Sequence, residues 1–127
     1  METYQVVRSE HLNHAGRLFG GRMLSWVDEF AWLSAVRDFP RCKFVTRAMD
    51  EVQFQCQVPN GAILRLTSHV ESHGNTSVTY HVHVFFAAEG NPHEHLAFQT
   101  RVTLVSVDPQ GRKTPLPSHR HGICAPS

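Results

Sequence analysis

The stretch from Arg22 to Arg37 contains neither glycine nor proline, and its apolar residues cover nearly every direction. They are Met23, Leu24, Trp26, Val27, Phe30, Ala31, Trp32, Leu33, Ala35 and Val36. A helix apolar all round belongs in an interior. Gly20-Gly21 opens this one, and Pro40 lies beyond its end, where a stop is expected. Whatever else the chain builds has to cover this helix.

The remainder reads as strands. Tyr4 to Arg8 is a short candidate. Lys43 to Gln57 carries Phe44, Val52, Phe54 and Cys56 at period two, and Val58-Pro59-Asn60-Gly61 follows as a hairpin signal. Ala62 to His73, Thr76 to Ala88 and Leu96 to Val107 complete the series. Between the third and fourth strands, only pairs summing to 150 keep the apolar face consistent, so that Val70 faces Tyr80 and Leu66 faces Val84. That register predicts a three-residue loop over Gly74 to Thr76, with 73 opposite 77, or else a bulge. The order is one strand, one buried helix, then four long antiparallel strands. This is an α+β arrangement in which a sheet wraps a helix. One sheet face cannot cover so apolar a helix, so a partner subunit is expected.

With 127 residues the chain is one domain by length. Hydrophobic residues at 41% and charged residues at 18% exclude a disordered chain. No apolar run approaches the roughly 20 residues that span a bilayer, and Met1 to Gln5 shows no secretory pattern. A net charge of +1 gives no general case for nucleic acid or an anionic membrane. Three cysteines, Cys42, Cys56 and Cys124, without metal-type spacing, fit a reducing cytoplasm. The prolines and glycines after Asp108 read as an irregular end, giving a domain over 1–117 and a tail over 118–127.

Two features carry chemistry. Asp28 sits among Trp26, Val27, Phe30 and Ala31, costly company for a carboxylate unless it is hydrogen-bonded or has a task. The plain alternative is an exposed helix edge beside Glu29. The second feature is the lead-in Asn13-His14-Ala15-Gly16-Arg17-Leu18-Phe19-Gly20-Gly21. Glycines admit a ligand close to the backbone. The free N–H groups of a first helical turn stabilise negative oxygen, which an attacked carbonyl acquires. The alternative is a glycine-containing turn with no ligand.

Together, His11 to Glu29 resembles the signature of hot-dog acyl-CoA thioesterases: an Asn, a short loop, Phe-Gly-Gly, then an acidic helix residue. Phe44-Val45-Thr46 with Val52-Gln53-Phe54, Gly74-Asn75-Thr76-Ser77, and Asp108 to Arg112 with Pro115-Leu116-Pro117 extend the likeness over roughly Tyr4 to Pro117. It is closest to the cytoplasmic acyl-CoA hydrolase branch. The resemblance implies a hot-dog fold: an antiparallel sheet of about five strands around one long central helix. It also implies hydrolysis of an acyl-CoA in lipid metabolism, with no cofactor and no metal. Asp28 matches the residue that activates water or attacks the thioester, and Asn13, from a neighbouring subunit, the residue that positions them. Backbone N–H groups near Gly21 and Arg22, beside Phe19 and Gly20, match the donors that polarise the thioester oxygen. Coenzyme A is placed along Gly74, Asn75, Thr76 and Ser77, with Arg112 and Lys113 as candidate phosphate cations, ahead of Arg47 and Arg101. A homodimer at least is implied, as a hexamer (trimer of dimers) or tetramer. Arg22, Trp26 and Trp32 depart from the usual pattern and are bulky enough to shorten an acyl tunnel.

A non-hydrolytic acyl-CoA or acyl-carrier binding protein on the same fold is the second reading. Retention of both Asn13 and Asp28 speaks against it, and the Gly-Gly-helix-Asp arrangement against a dehydratase. The ten histidines raise a third, a metal-binding protein. His69 faces His81 in the argued register, with His73 and His83 nearby, but a polar sheet face accounts for them without zinc. His119, His121 and Cys124 in the tail match nothing in the family.

Overall fold

A computed structural model of the chain describes residues 1–117. The tail expected over 118–127 lies outside the described residues. The order is β1 (Glu2–Val6), a 3-10 turn (Ser9–His11), α1 (Gly20–Asp38), β2 (Lys43–Phe54), β3 (Ile63–His73), β4 (Ser77–Ala87) and β5 (His95–Val107). The strands form one antiparallel sheet in the order β1-β3-β4-β5-β2. The expected count of five strands and one long helix stands, and Gly20-Gly21 form the first turn of the helix rather than a lead-in to it.

Alternation decides which face of the sheet meets the helix. On β4, Val78, Tyr80, Val82, Val84 and Phe86 are buried and the residues between them are not. Leu64 and Leu66 on β3 and Phe98, Val102 and Leu104 on β5 join them. Against this face α1 buries Met23, Val27, Phe30, Ala31, Ser34 and Ala35, a stripe at helical spacing. The opposite side still carries Trp32 and Leu33, 42% and 39% exposed. One sheet face thus covers one side of a helix that is apolar on both.

The β3–β4 register holds in the middle of the pair and changes near the turn. His69 pairs with His81, Val70 with Tyr80 and Leu66 with Val84, as the pattern required. Beyond Val70 the register shifts by one, and His73 pairs with Val78 rather than with Ser77. The Gly74 amide donates to the Ser77 carbonyl at 2.8 Å, closing a tight turn over Asn75-Thr76. A bulge at Glu71 therefore reconciles a two-residue turn with the apolar face, in place of a longer loop.

Two expectations for β2 fail. Asn60-Gly61 makes a turn, with Gly61 at φ +83, but no hairpin. β2 pairs with β5 at one edge of the sheet, whereas β3 lies between β1 and β4. The connection crosses past the helix entry, where Arg17 bridges Pro59 and Gly61 N–H donates to Val7 O. Nor does β2 hold one period of two. Its register breaks between Thr46 and Ala48 and again between Asp50 and Gln53. The core side passes from Phe44 to Met49; Val52, in the second break, and Phe54 are 40% and 53% exposed, with one face of the Phe54 ring against buried Phe98 at 4.8 Å.

Candidate active site

Phe44 is buried against Phe39, with ring centroids 6.0 Å apart. Thr46, two residues on and before the first break, shares that face. Its hydroxyl donates to Asp28 Oδ1 at 2.6 Å. Asp28 is half-buried and Glu29 beside it is exposed. The carboxylate is therefore neither an unpartnered surface acid nor an orphan in the core. One oxygen is fixed by a neutral donor, which orients the group without neutralising it. Sequence reasoning quoted Thr46 but assigned it no role. The available signal was parity: a polar residue two positions from an inward Phe44, opposite an apolar helix.

The lead-in loop is held by Asn13. Its Oδ1 accepts the amides of Ala15 at 2.9 Å and Arg17 at 3.1 Å, and its backbone N–H donates to Arg17 O at 2.7 Å. The oxygen is thus spent on the loop, and the carboxamide N–H groups have no acceptor among the described residues. Whatever Asn13 does for a ligand, it does as a donor.

At the helix entry Phe19 is the N-cap, without a side-chain cap. Phe19 O accepts the amides of Arg22 at 3.0 Å and Met23 at 3.1 Å. The Arg22 N–H is therefore occupied, which moves the expected oxyanion donors back to Gly20 and Gly21, whose amides have no acceptor among the described residues. A Cβ at Gly21 would lie 2.6 Å from the Phe19 ring, so glycine there keeps the exposed ring folded over the entry. Beside it opens a cavity of about 390 Å³ lined by Leu18, Gly20, Met23, Phe54 and Cys56, within the usual size of ligand pockets. Arg22 is exposed, and Trp26 packs edge-on against His11 with centroids 4.8 Å apart. Neither lines this cavity, so among the described residues they do not shorten it.

Asp28 lies seven residues beyond Gly21, or about 10 Å along the axis. Catalytic groups acting on one carbon must converge to about 3 Å. No hydrogen bond joins Asp28 to Asn13, among the described residues.

The turn Gly74 to Ser77 sits at the other end of the molecule, tied to the last described residues. Thr76 O accepts Ser106 N–H and Asn75 O accepts Leu116 N–H, each at 2.8 Å. Arg112 and Lys113 lie in the same region, where Lys113 bridges Val107. Arg101 is not available for phosphate, being paired with Glu71 and Glu51. On the outer face the rings of His81 and His83 lie tilted against each other, centroids 4.1 Å apart. Burial, then the neighbouring His81 and His69, hold the His83 imidazole below its usual range. Among the described residues no three His, Cys, Asp or Glu side chains gather to hold a metal ion. No helix there is long and apolar enough to cross a membrane.

Comparison with known proteins agrees with this fold. The family model of the thioesterase superfamily matches residues 15–91. An uncharacterized acyl-CoA thioester hydrolase of Bacillus subtilis is 31% identical over 117 residues, 92% of this chain and 67% of that protein. A hexameric hotdog fold thioesterase of Campylobacter jejuni superposes with a TM-score of 0.82 at 32% identity, over 91% of this chain and 88% of that one. An acyl-CoA hydrolase from Staphylococcus aureus, solved with butyryl coenzyme A and coenzyme A, gives 0.84 at 26% identity, over 92% and 71%. The chain therefore belongs to the thioesterase superfamily, as a hot-dog-fold thioester hydrolase.

Proposed function

We propose that this protein hydrolyses an acyl-CoA to the free carboxylate and coenzyme A, at a site shared by two subunits. The observation that carries this reading is the separation of Asp28 from the free amides of Gly20 and Gly21 on one helix. Each is prepared for acyl transfer, yet about 10 Å keeps them from one carbonyl carbon. A second copy that brings its own Asn13 and Gly21 to this Asp28 removes the difficulty.

In that assembly the Gly21 N–H donates to the thioester oxygen and the Asn13 carboxamide donates to the water or the thioester. Asp28 takes the proton of the attacking water, or itself attacks the carbonyl carbon. In the first route water's oxygen bonds to the carbonyl carbon as the C–S bond breaks; in the second Asp28 forms an acyl anhydride as the C–S bond breaks, and water then hydrolyses that anhydride to the free carboxylate and restores Asp28. In both, a proton from water leaves with the coenzyme A thiol. Apolar surface supports association: Val45, Val52 and Phe54 along edge strand β2 are 50%, 40% and 53% exposed. We read this as a dimer at least, assembled further as a hexamer, the state of the Campylobacter jejuni relative, or a tetramer. The free thiols of Cys42 and Cys56 suit a reducing cytoplasm.

Thiol release from a panel of acyl-CoAs tests the activity. Turnover of at least one chain length is the expected result. No turnover of any, with coenzyme A still bound, favours the non-hydrolytic reading instead. The same assay reads Thr46. Thr46→Val removes the donor to Asp28 and preserves the side-chain shape, so kcat should fall by about tenfold with KM within about twofold. An unchanged kcat would make the 2.6 Å contact incidental to the chemistry.

A further inference from the structure

The outer face of the sheet carries histidines that the acyl-transfer site does not use. His81 and His83 stand two apart on β4, so their rings share that face, with centroids 4.1 Å apart. His69 on β3 pairs directly with His81. We propose that these three imidazoles form an acid-sensitive latch across β3 and β4, which holds while at most one of them is charged and loosens when a second takes a proton.

The hydrogen bonds decide which ring takes the first proton. Gln99 on β5 donates through Nε2 to Gln53 Oε1 at 3.3 Å, and its own Oε1 lies 3.1 Å from His81 Nε2. That oxygen can only accept, which assigns the hydrogen of the neutral His81 ring to Nε2 and leaves Nδ1 bare. Nδ1 lies 4.0 Å from Glu71 Oε1, so a proton arriving there meets a carboxylate. One charge is thereby accommodated.

A second is not. His83 pairs with Thr67 on β3 and Gln99 on β5, neither of which ionises. Along β4 its ring lies between that of His81 and that of Phe85, stacked at 6.1 Å, and Arg65 from β3 sits over Phe85 at 4.6 Å. Arg101 on β5 pairs with His81 in the same row. The carboxylates of this face are committed to the arginines: Glu2 of β1 and Glu94 to Arg65, Glu51 of β2 and Glu71 to Arg101. Tyr4 on β1, bonded to Glu2, is neutral at and below pH 7. A His83 imidazolium beside a charged His81 would thus have like charges for neighbours and no free carboxylate.

The pH window follows. Burial first, then His81 and His69, hold the His83 imidazole below its usual range. Below about pH 6.5 the unfolded chain therefore binds more protons than the folded one. Stability is full above that value and falls as the pH drops through the folded midpoint. Glu71 and Glu94 are held below the usual carboxylate range by Arg101 and Arg65, so their own loss begins only below about pH 4.3. The inner sides of the same strands bury Leu66, Val82 and Val84, the floor under α1. What loosens the outer face loosens that floor.

The test is thermal melting of the intact oligomer at pH 7.5 and 5.5, at fixed ionic strength, followed by circular dichroism. Wild type should lose about 4 °C or more over that interval. His83→Gln, polar and never charged, should lose less than about half as much and lie within about 3 °C of wild type at pH 7.5. His93→Gln, exposed on the loop before β5, should keep the wild-type slope. Ring-proton NMR reads the coupling itself: the His83 midpoint should rise by about half a pH unit or more in His81→Gln. A wild type equally stable at both pH values, or parallel losses in wild type and His83→Gln, overturns the latch. So does a His83 midpoint indifferent to His81→Gln.

Discussion

Asp28→Ala is expected to lower kcat for acyl-CoA hydrolysis by about 10²–10⁴-fold, the range set by loss of a positioned acid or base. Affinity for coenzyme A should change little, because the carboxylate acts on water or the thioester carbon and not on the nucleotide. Its environment explains why so large an effect is expected of one residue. Asp28 is half-buried on the helix and one oxygen is fixed by Thr46 at 2.6 Å, so its geometry is set before substrate arrives. Glu29, exposed on the next position, makes a control: Glu29→Ala should stay within about twofold of wild type. Thiol release gives both numbers, and size-exclusion and circular dichroism confirm that the variants assemble. Near-wild-type turnover by Asp28→Ala would remove Asp28 from the chemistry while leaving the family assignment intact.

Most of the fold was legible because its signals are local. The helix declared itself by an apolar surface free of glycine and proline, and β4 by strict alternation. Even the β3–β4 register followed from requiring Val70 and Leu66 to share a face with Tyr80 and Val84. What escaped was non-local. Asn60-Gly61 has the chemistry of a hairpin turn, but strand order is decided by which edges pair, and no dipeptide encodes that. β2 has two breaks in register, so a period read straight through from Phe44 to Cys56 failed beyond Phe44, and Val52, Phe54 and Cys56 are exposed. The site divides in the same manner. Asp28, Asn13 and Gly21 were marked by the company they keep in the chain. Thr46 was not, because its contact depends on β2 packing back over the helix.

The remaining claim is that the site is shared. Asp28 and Gly21 of one chain stand about 10 Å apart on the same helix, so the account requires Asp28 from one subunit and Asn13 from another. The second variant needs care, since Asn13 Oδ1 also holds Ala15 and Arg17. Asn13→Asp keeps that acceptor and removes the donating amide, and alone it should lose at least about 10²-fold in kcat. Subunit complementation then tests the claim most directly. Asp28→Ala and Asn13→Asp chains, each nearly inactive, are co-assembled in equal amounts and assayed for thiol release. In a mixed two-fold pair one site carries both lesions and the other carries none, so random mixing should restore about a quarter of wild-type activity. Recovery near that level is what the account predicts. Mixed assemblies, verified by distinct affinity tags, that remain as inactive as their parents would contradict it and place the whole site within one chain.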